Sequence, residues 1–113
     1  MRPRNIFDAV PEVAAAASTE FVERLAQGGG ARVERIVSHG HASPPGFWYD
    51  QPETEWVLLV AGRARLRFHP DRIVELEPGD HLLIPAHERH RVEWTDSDGA
   101  TIWLAVFLPA DPA

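Results

Sequence analysis

The sequence predicts an all-β barrel preceded by a short irregular or helical N-terminal extension, on three observations. Short runs of β-branched and aromatic residues recur between clusters of Pro, Gly, Asp and Ser. Apolar and polar residues alternate in the clearest of those runs, which is the period of a half-buried strand. The 113 residues are enough for one core and too few for two. Residues 1–30 read as the extension packing on the barrel, and residues 31–109 as the barrel itself.

Within the extension, Pro11 suits the first turn of a short helix through Ala14–Ala17. Phe21, Val22 and Leu25 fit a helix face, whereas Gly28-Gly29-Gly30 before a β-rich run points to a hairpin. Both readings stay open, with a short helix followed by a strand preferred. Ala31–Ser38 reads as a strand through Val33, Ile36 and Val37. Ser43-Pro44-Pro45-Gly46 is a loop, because tandem prolines cannot sit in a ladder. Phe47–Asp50 reads as a short aromatic strand, closed by a turn at Gln51-Pro52-Glu53-Thr54.

Glu55–Phe68 is the longest β run. Val57 and Leu59 share a face with Glu55, whereas Ala64, Leu66 and Phe68 share a face opposite Arg63, Arg65 and Arg67. The two apolar faces are out of phase, and a one-residue bulge at Gly62 would reconcile them. A continuous strand with Glu55 facing solvent is the rival. Strands follow at Ile73–Leu76, His81–Ile84, Arg89–Thr95 and Thr101–Pro109, separated by turns at His69–Arg72, Glu77–Asp80 and Asp96–Gly99. In the Arg89–Thr95 strand, alternation puts His90, Val92 and Trp94 on the inward face.

Composition narrows the function classes. A net charge of −6 and a pI near 5.4 disfavour a nucleic-acid partner. No run approaches the ~20 apolar residues of a membrane span. The basic Met1–Asn5 stretch is followed by no apolar segment of signal-peptide length, and the chain has no cysteine, so a cytoplasmic location is expected. Any metal would be held by His, Asp and Glu.

Two spaced motifs resemble those of the cupin superfamily. Gly79-x5-Pro85 followed by His90 resembles the second cupin motif, and Glu55-x6-Gly62 matches the second half of the first. The resemblance spans residues 31–108 and implies a cupin-type jelly-roll barrel (a double-stranded β-helix). The run from Gly46 through Glu55-Trp-Val-Leu-Leu is similar to single-domain cupins often labelled mannose-6-phosphate isomerase-like. In metal-binding cupins two first-motif histidines join the glutamate and the second-motif histidine around one divalent ion. Here the resemblance sets Trp48 and Asp50 at the histidine positions and His87 at the glycine of the second motif. It therefore implies Glu55, His90 and Asp50 as candidate ligands of Fe, Mn, Ni or Zn, with Asp50 and Glu55 as candidate catalytic groups. Trp48, Trp94 and His87 are the candidate pocket-lining residues.

Each candidate has a structural alternative. Glu55 and His90 also suit an ion pair in the barrel mouth. Asp50 suits a local turn role, and His87 an exposed corner. His39-x-His41 lies at a strand end beyond the prolines and reads as solvated rather than ligating. The three arginines read as a solvated strand face. Two functions follow: a metal-assisted enzyme on a small polar molecule (a sugar or sugar phosphate, isomerase-like, or an oxygen-dependent oxidation), or a non-catalytic small-ligand-binding cupin with a degenerate metal site. A homodimer is the expected assembly.

Overall fold

A computed structural model describes residues 1–16 and 18–110. After a short helix, α1 (Val10–Ala16), eight strands follow: β1 (Phe21–Gly28), β2 (Ala31–Ser38), β3 (Thr54–Ala61), β4 (Ala64–Phe68), β5 (Arg72–Leu76), β6 (His81–Ile84), β7 (His90–Thr95) and β8 (Thr101–Leu108). They form two antiparallel sheets, β1-β2-β8-β3-β6 and β5-β4-β7. This is the all-β barrel that the patterning predicts, laid out as the jelly roll that the cupin resemblance implies.

The open question at residues 14–27 resolves as a helix followed by a strand, with Ala17 of the expected helix outside the described residues. Gly28 pairs with Ala31, leaving Gly29 and Gly30 as a two-residue hairpin loop with φ of 60° and 81°. Two consecutive positive φ angles define the type I′ turn that suits the twist of a hairpin, and glycine adopts them without strain. Helix α1 lies over the outer face of the larger sheet, where Val10 packs with Val37 and Ile102.

The long β run is two strands rather than one. The ladder between β3 and β8 slips between Leu59 and Ala61, and Gly62, at φ 88°, then passes the chain to the other sheet. The expected one-residue slip is present, but it falls at Val60 within β3, two residues before Gly62, and it is this slip that changes the phase. Glu55, Val57 and Leu59 thus point into the same interior as Ala64, Leu66 and Phe68. Together with Ile84, Trp103, Ala105 and Phe107 they supply most of the core.

Two further expectations are corrected. Phe47–Asp50 is no strand; only Tyr49 pairs, in an isolated bridge with His90. On β7, Arg65 faces Trp94 whereas Leu66 faces Val92, so Glu93 is an extra residue. That slip reverses the alternation and turns Trp94 outward, 39% exposed, beneath the Arg65 guanidinium (5.5 Å). On the outer face of the smaller sheet, Arg65 pairs with Glu75 (2.9 Å) and Arg67 with Glu93 (3.0 Å), as a solvated strand face requires.

Candidate functional site

A cavity of about 230 Å³ opens at one end of the barrel. Its deep wall is apolar, built from Val57, Leu66, Ile84, Trp103 and Phe107. Its polar end holds Glu55, His90, Tyr49, Gln51 and Glu20, with Arg32 and Glu34 also lining it.

Glu55 is the first inward residue of β3 and His90 the first of β7, and the two are 9% and 5% exposed. His90 Nε2 lies 3.7 Å from Glu55 Oε1. Its other nitrogen, Nδ1, donates to the Glu88 carbonyl at 2.8 Å. That bond determines the neutral tautomer, leaving the Nε2 lone pair on the cavity side. The ring is stacked between Tyr49 (5.3 Å) and Phe68 (5.8 Å), so it has little freedom to turn. Burial alone would push its pKa down, but Glu55 and the Glu88 carbonyl outweigh burial and hold it above the ordinary histidine value.

Gln51 Nε2 donates to Glu55 Oε1 at 3.1 Å. The Tyr49 hydroxyl donates to Glu20 Oε1 at 3.3 Å. Burial raises the Glu20 carboxyl above the usual carboxylate range, against the lowering effect of the Tyr49 hydrogen bond. Burial and the nearby Glu20 carboxylate push the Tyr49 phenol up to about 12, so it is a hydrogen-bond donor at neutral pH.

The structure brings Glu55 and His90 together and leaves the other sequence candidates outside the cavity lining. Asp50 and His87 meet each other at the exposed rim, Asp50 Oδ1 lying 2.7 Å from His87 Nδ1. His87 has φ of 63°, the left-handed conformation suited to the glycine it replaces, and its backbone N–H donates to the Gln51 carbonyl (2.8 Å). This rim contact tethers the segment that carries Gln51. Trp48 stands edge-on to His69, 5.2 Å away, and Trp94 is on the outer face. His39 and His41 bond to each other, His39 N–H donating to His41 Nδ1 (2.8 Å).

The phase of the segment before Glu55 explains the difference. The Tyr49–His90 bridge turns Tyr49 and Gln51 toward the cavity, so these residues, and not Trp48 and Asp50, stand where the first-motif histidines were expected. A phenol bound to Glu20 and an amide bound to Glu55 replace two imidazoles. Among the described residues no group of three or more His, Asp or Glu is placed to hold a metal ion. The donor set therefore does not fit the divalent ion that the resemblance implies. Sequence reading missed Glu20, Tyr49, Gln51, Arg32 and Glu34. The i, i+2 spacing of Tyr49 and Gln51 was the available signal for two of them, whereas nothing local marks Glu20.

Residues 33–107 match the family described as Cupin domain. Among solved structures, the chain is similar to a Ralstonia eutropha JMP134 protein provisionally named a mannose-6-phosphate isomerase, with 44% identity, 97% of this chain and 100% of that one covered, and a TM-score of 0.88. A cupin superfamily protein from Desulfitobacterium hafniense DCB-2 shares the fold at 20% identity, covering 96% and 94% of the two chains at a TM-score of 0.72. An RmlC-like cupin with a double-stranded β-helix fold from Methanocaldococcus jannaschii does so at 16% identity, covering 83% and 84% at a TM-score of 0.66. No curated protein matches the chain.

Proposed function

The chain belongs to the cupin domain family, and from that premise we propose that its barrel mouth binds a small polar molecule of about sugar size without a resident metal. One observation carries this reading: a cavity whose buried polar end is filled by hydrogen-bonding groups and whose opposite wall is apolar. At about 230 Å³ it lies below the ~300–1,000 Å³ of pockets for drug-sized ligands, so its occupant is small. Glu55 and His90 supply the charged anchor, Gln51 orients Glu55, and Trp103 and Phe107 offer aromatic surface to the carbon skeleton.

Thermal-shift screening of sugars, polyols and small amines in chelator tests this reading. Saturable stabilisation in chelator, lost in Glu55→Gln and in His90→Ala, is expected. Stabilisation that appears only after Mn, Fe, Ni or Zn is added would contradict it.

A second reading rests on the Glu55–His90 pair itself. A carboxylate beside an imidazole that holds its proton above the ordinary pKa is equipped for proton transfer. The name of the 44%-identical Ralstonia neighbour fits sugar isomerisation. In that case Glu55 accepts a carbon-bound proton while imidazolium His90 donates to the sugar oxygen. Turnover of mannose 6-phosphate by chelator-treated protein, abolished by Glu55→Gln, would favour this reading over simple binding.

A further inference from the structure

One row of side chains crosses the smaller sheet and ends at the cavity. In the β5-β4-β7 order, Arg72 is the register partner of Phe68, and Phe68 is the register partner of His90. Tyr49 continues the row through its isolated bridge to His90. There the Tyr49 N–H donates to the His90 carbonyl (2.7 Å), and the His90 N–H donates to the Tyr49 carbonyl (3.1 Å). Directly opposed residues of paired strands share a face, so Arg72 starts on the same inward side as Phe68 and His90.

The side-chain contacts follow the same order. The Arg72 guanidinium carbon lies 4.7 Å from the centroid of the Phe68 ring. Phe68 stacks on His90 at 5.8 Å, and His90 on Tyr49 at 5.3 Å, with interplanar angles of 30° and 28°. Phe68 is 2% exposed, whereas Arg72 is at the surface. Because β5 is the edge of its sheet, no further strand backs Phe68 on the Arg72 side. Carboxylates hold the arginines of the neighbouring strand, Arg65 by Glu75 and Arg67 by Glu93. Asp71, the chain neighbour of Arg72, also pairs with Arg67. Among the described residues Arg72 itself has no carboxylate within ion-pair distance, so the negative face of the Phe68 ring is what attracts its charge.

Building on the binding reading above, we propose that Arg72, which lies outside the cavity lining, is a positioning residue for its polar end. The guanidinium caps Phe68, Phe68 backs the His90 ring, and the fixed plane of that ring aims Nε2 at the cavity. The hydrogen bond from His90 Nδ1 to the Glu88 carbonyl pins one point of the imidazole, whereas the two stacked rings set its plane. Tyr49 is itself anchored, through its hydroxyl to Glu20 and its backbone to His90. Phe68 has its cationic cap at the open edge of the sheet. Without that cap the Phe68 ring loses a partner, and the imidazole gains room to tilt. Arg72 thus acts through Phe68 and never touches the ligand.

NMR of the His90 imidazole in the full chain, at a pH above its folded pKa, tests the proposal together with calorimetric titration of mannose in chelator. In the parent, the ring protons should carry the upfield shift of an imidazole held between two aromatic faces. In Arg72→Ala, with circular dichroism matching the parent, that upfield shift should shrink. Mannose affinity should fall roughly threefold, the scale of an exposed cation–π contact. Arg72→Lys keeps a cation over the ring and should restore most of both, whereas the neutral Arg72→Met should not. Unchanged His90 ring shifts in Arg72→Ala would overturn the positioning role. Equal restoration by lysine and methionine would overturn the role of the charge. Altered ring shifts with mannose affinity unmoved would overturn the link to binding. A parent that does not bind mannose would count against the binding reading, and the ring shifts would still decide whether Arg72 positions His90.

Discussion

His90 is held from three sides: Glu88 through Nδ1, two aromatic rings on its faces, and Glu55 opposite Nε2. Because its pKa is raised above the ordinary 6.5, the pairing contributes stability below about pH 6.5 and loses it as pH rises through the folded value. The melting-temperature advantage of the parent over His90→Gln should therefore shrink as pH rises above 6.5, and in Glu55→Gln the His90 imidazole should titrate lower by NMR. Glu20 gives the complementary case. Its raised carboxyl pKa means that the protonated form suits the fold, so its contribution is present below the ordinary value of 4.5 and is lost as pH rises. Glu20→Gln mimics the protonated form and should raise the melting temperature at neutral pH; a lower one would contradict the burial described for Glu20. Of the site, Glu55 and His90 are legible in the sequence because each opens an alternating strand. Tyr49 and Gln51 are not, because their phase is determined by a bridge to a residue about forty positions away.

At the scale of elements, two slips decide which side chains face inward. Gly62 makes the crossing from β3 to β4 feasible: a Cβ there would lie 2.4 Å from Thr101 Oγ1 and 2.6 Å from Thr101 Cα, with φ already at 88°. Gly62→Ala should cost about 3 kcal/mol, measured by denaturant unfolding, from left-handed strain together with a backbone clash. Gly79→Ala, with a similar φ and open space around it, should cost only about 1 kcal/mol. Comparable losses at both positions would remove the close-approach argument. The slip at Glu93 makes an equally clear contrast between tryptophans. Trp103, 4% exposed and donating through Nε1 to Ser38 Oγ (3.2 Å), should cost about 3–5 kcal/mol when replaced by alanine. Trp94 on the outer face should cost less than about 1 kcal/mol. Turn residues and alternation mark the strands in sequence, but a bulge leaves no residue-level signature at Glu93. The inward assignment of Trp94 fails for that reason.

Across the whole molecule, the barrel is legible because its two inward faces repeat a simple pattern and its turns are rich in Pro, Gly and Asp. The metal expectation belongs to the superfamily resemblance, and among the described residues Tyr49 and Gln51, rather than two further His, Asp or Glu side chains, join Glu55 and His90 at the cavity. What the fold preserves is the position: β3 and β7, from opposite sheets, still bring Glu55 and His90 to one cavity. On the proposed reading, its chemistry is hydrogen bonding and charge instead of coordination. The most direct test is calorimetric titration of Mn(II) and Zn(II) into chelator-stripped protein. A metal-free pocket predicts no saturable binding of one ion per chain. One ion per chain, lost together in Glu55→Gln and His90→Ala, would contradict it.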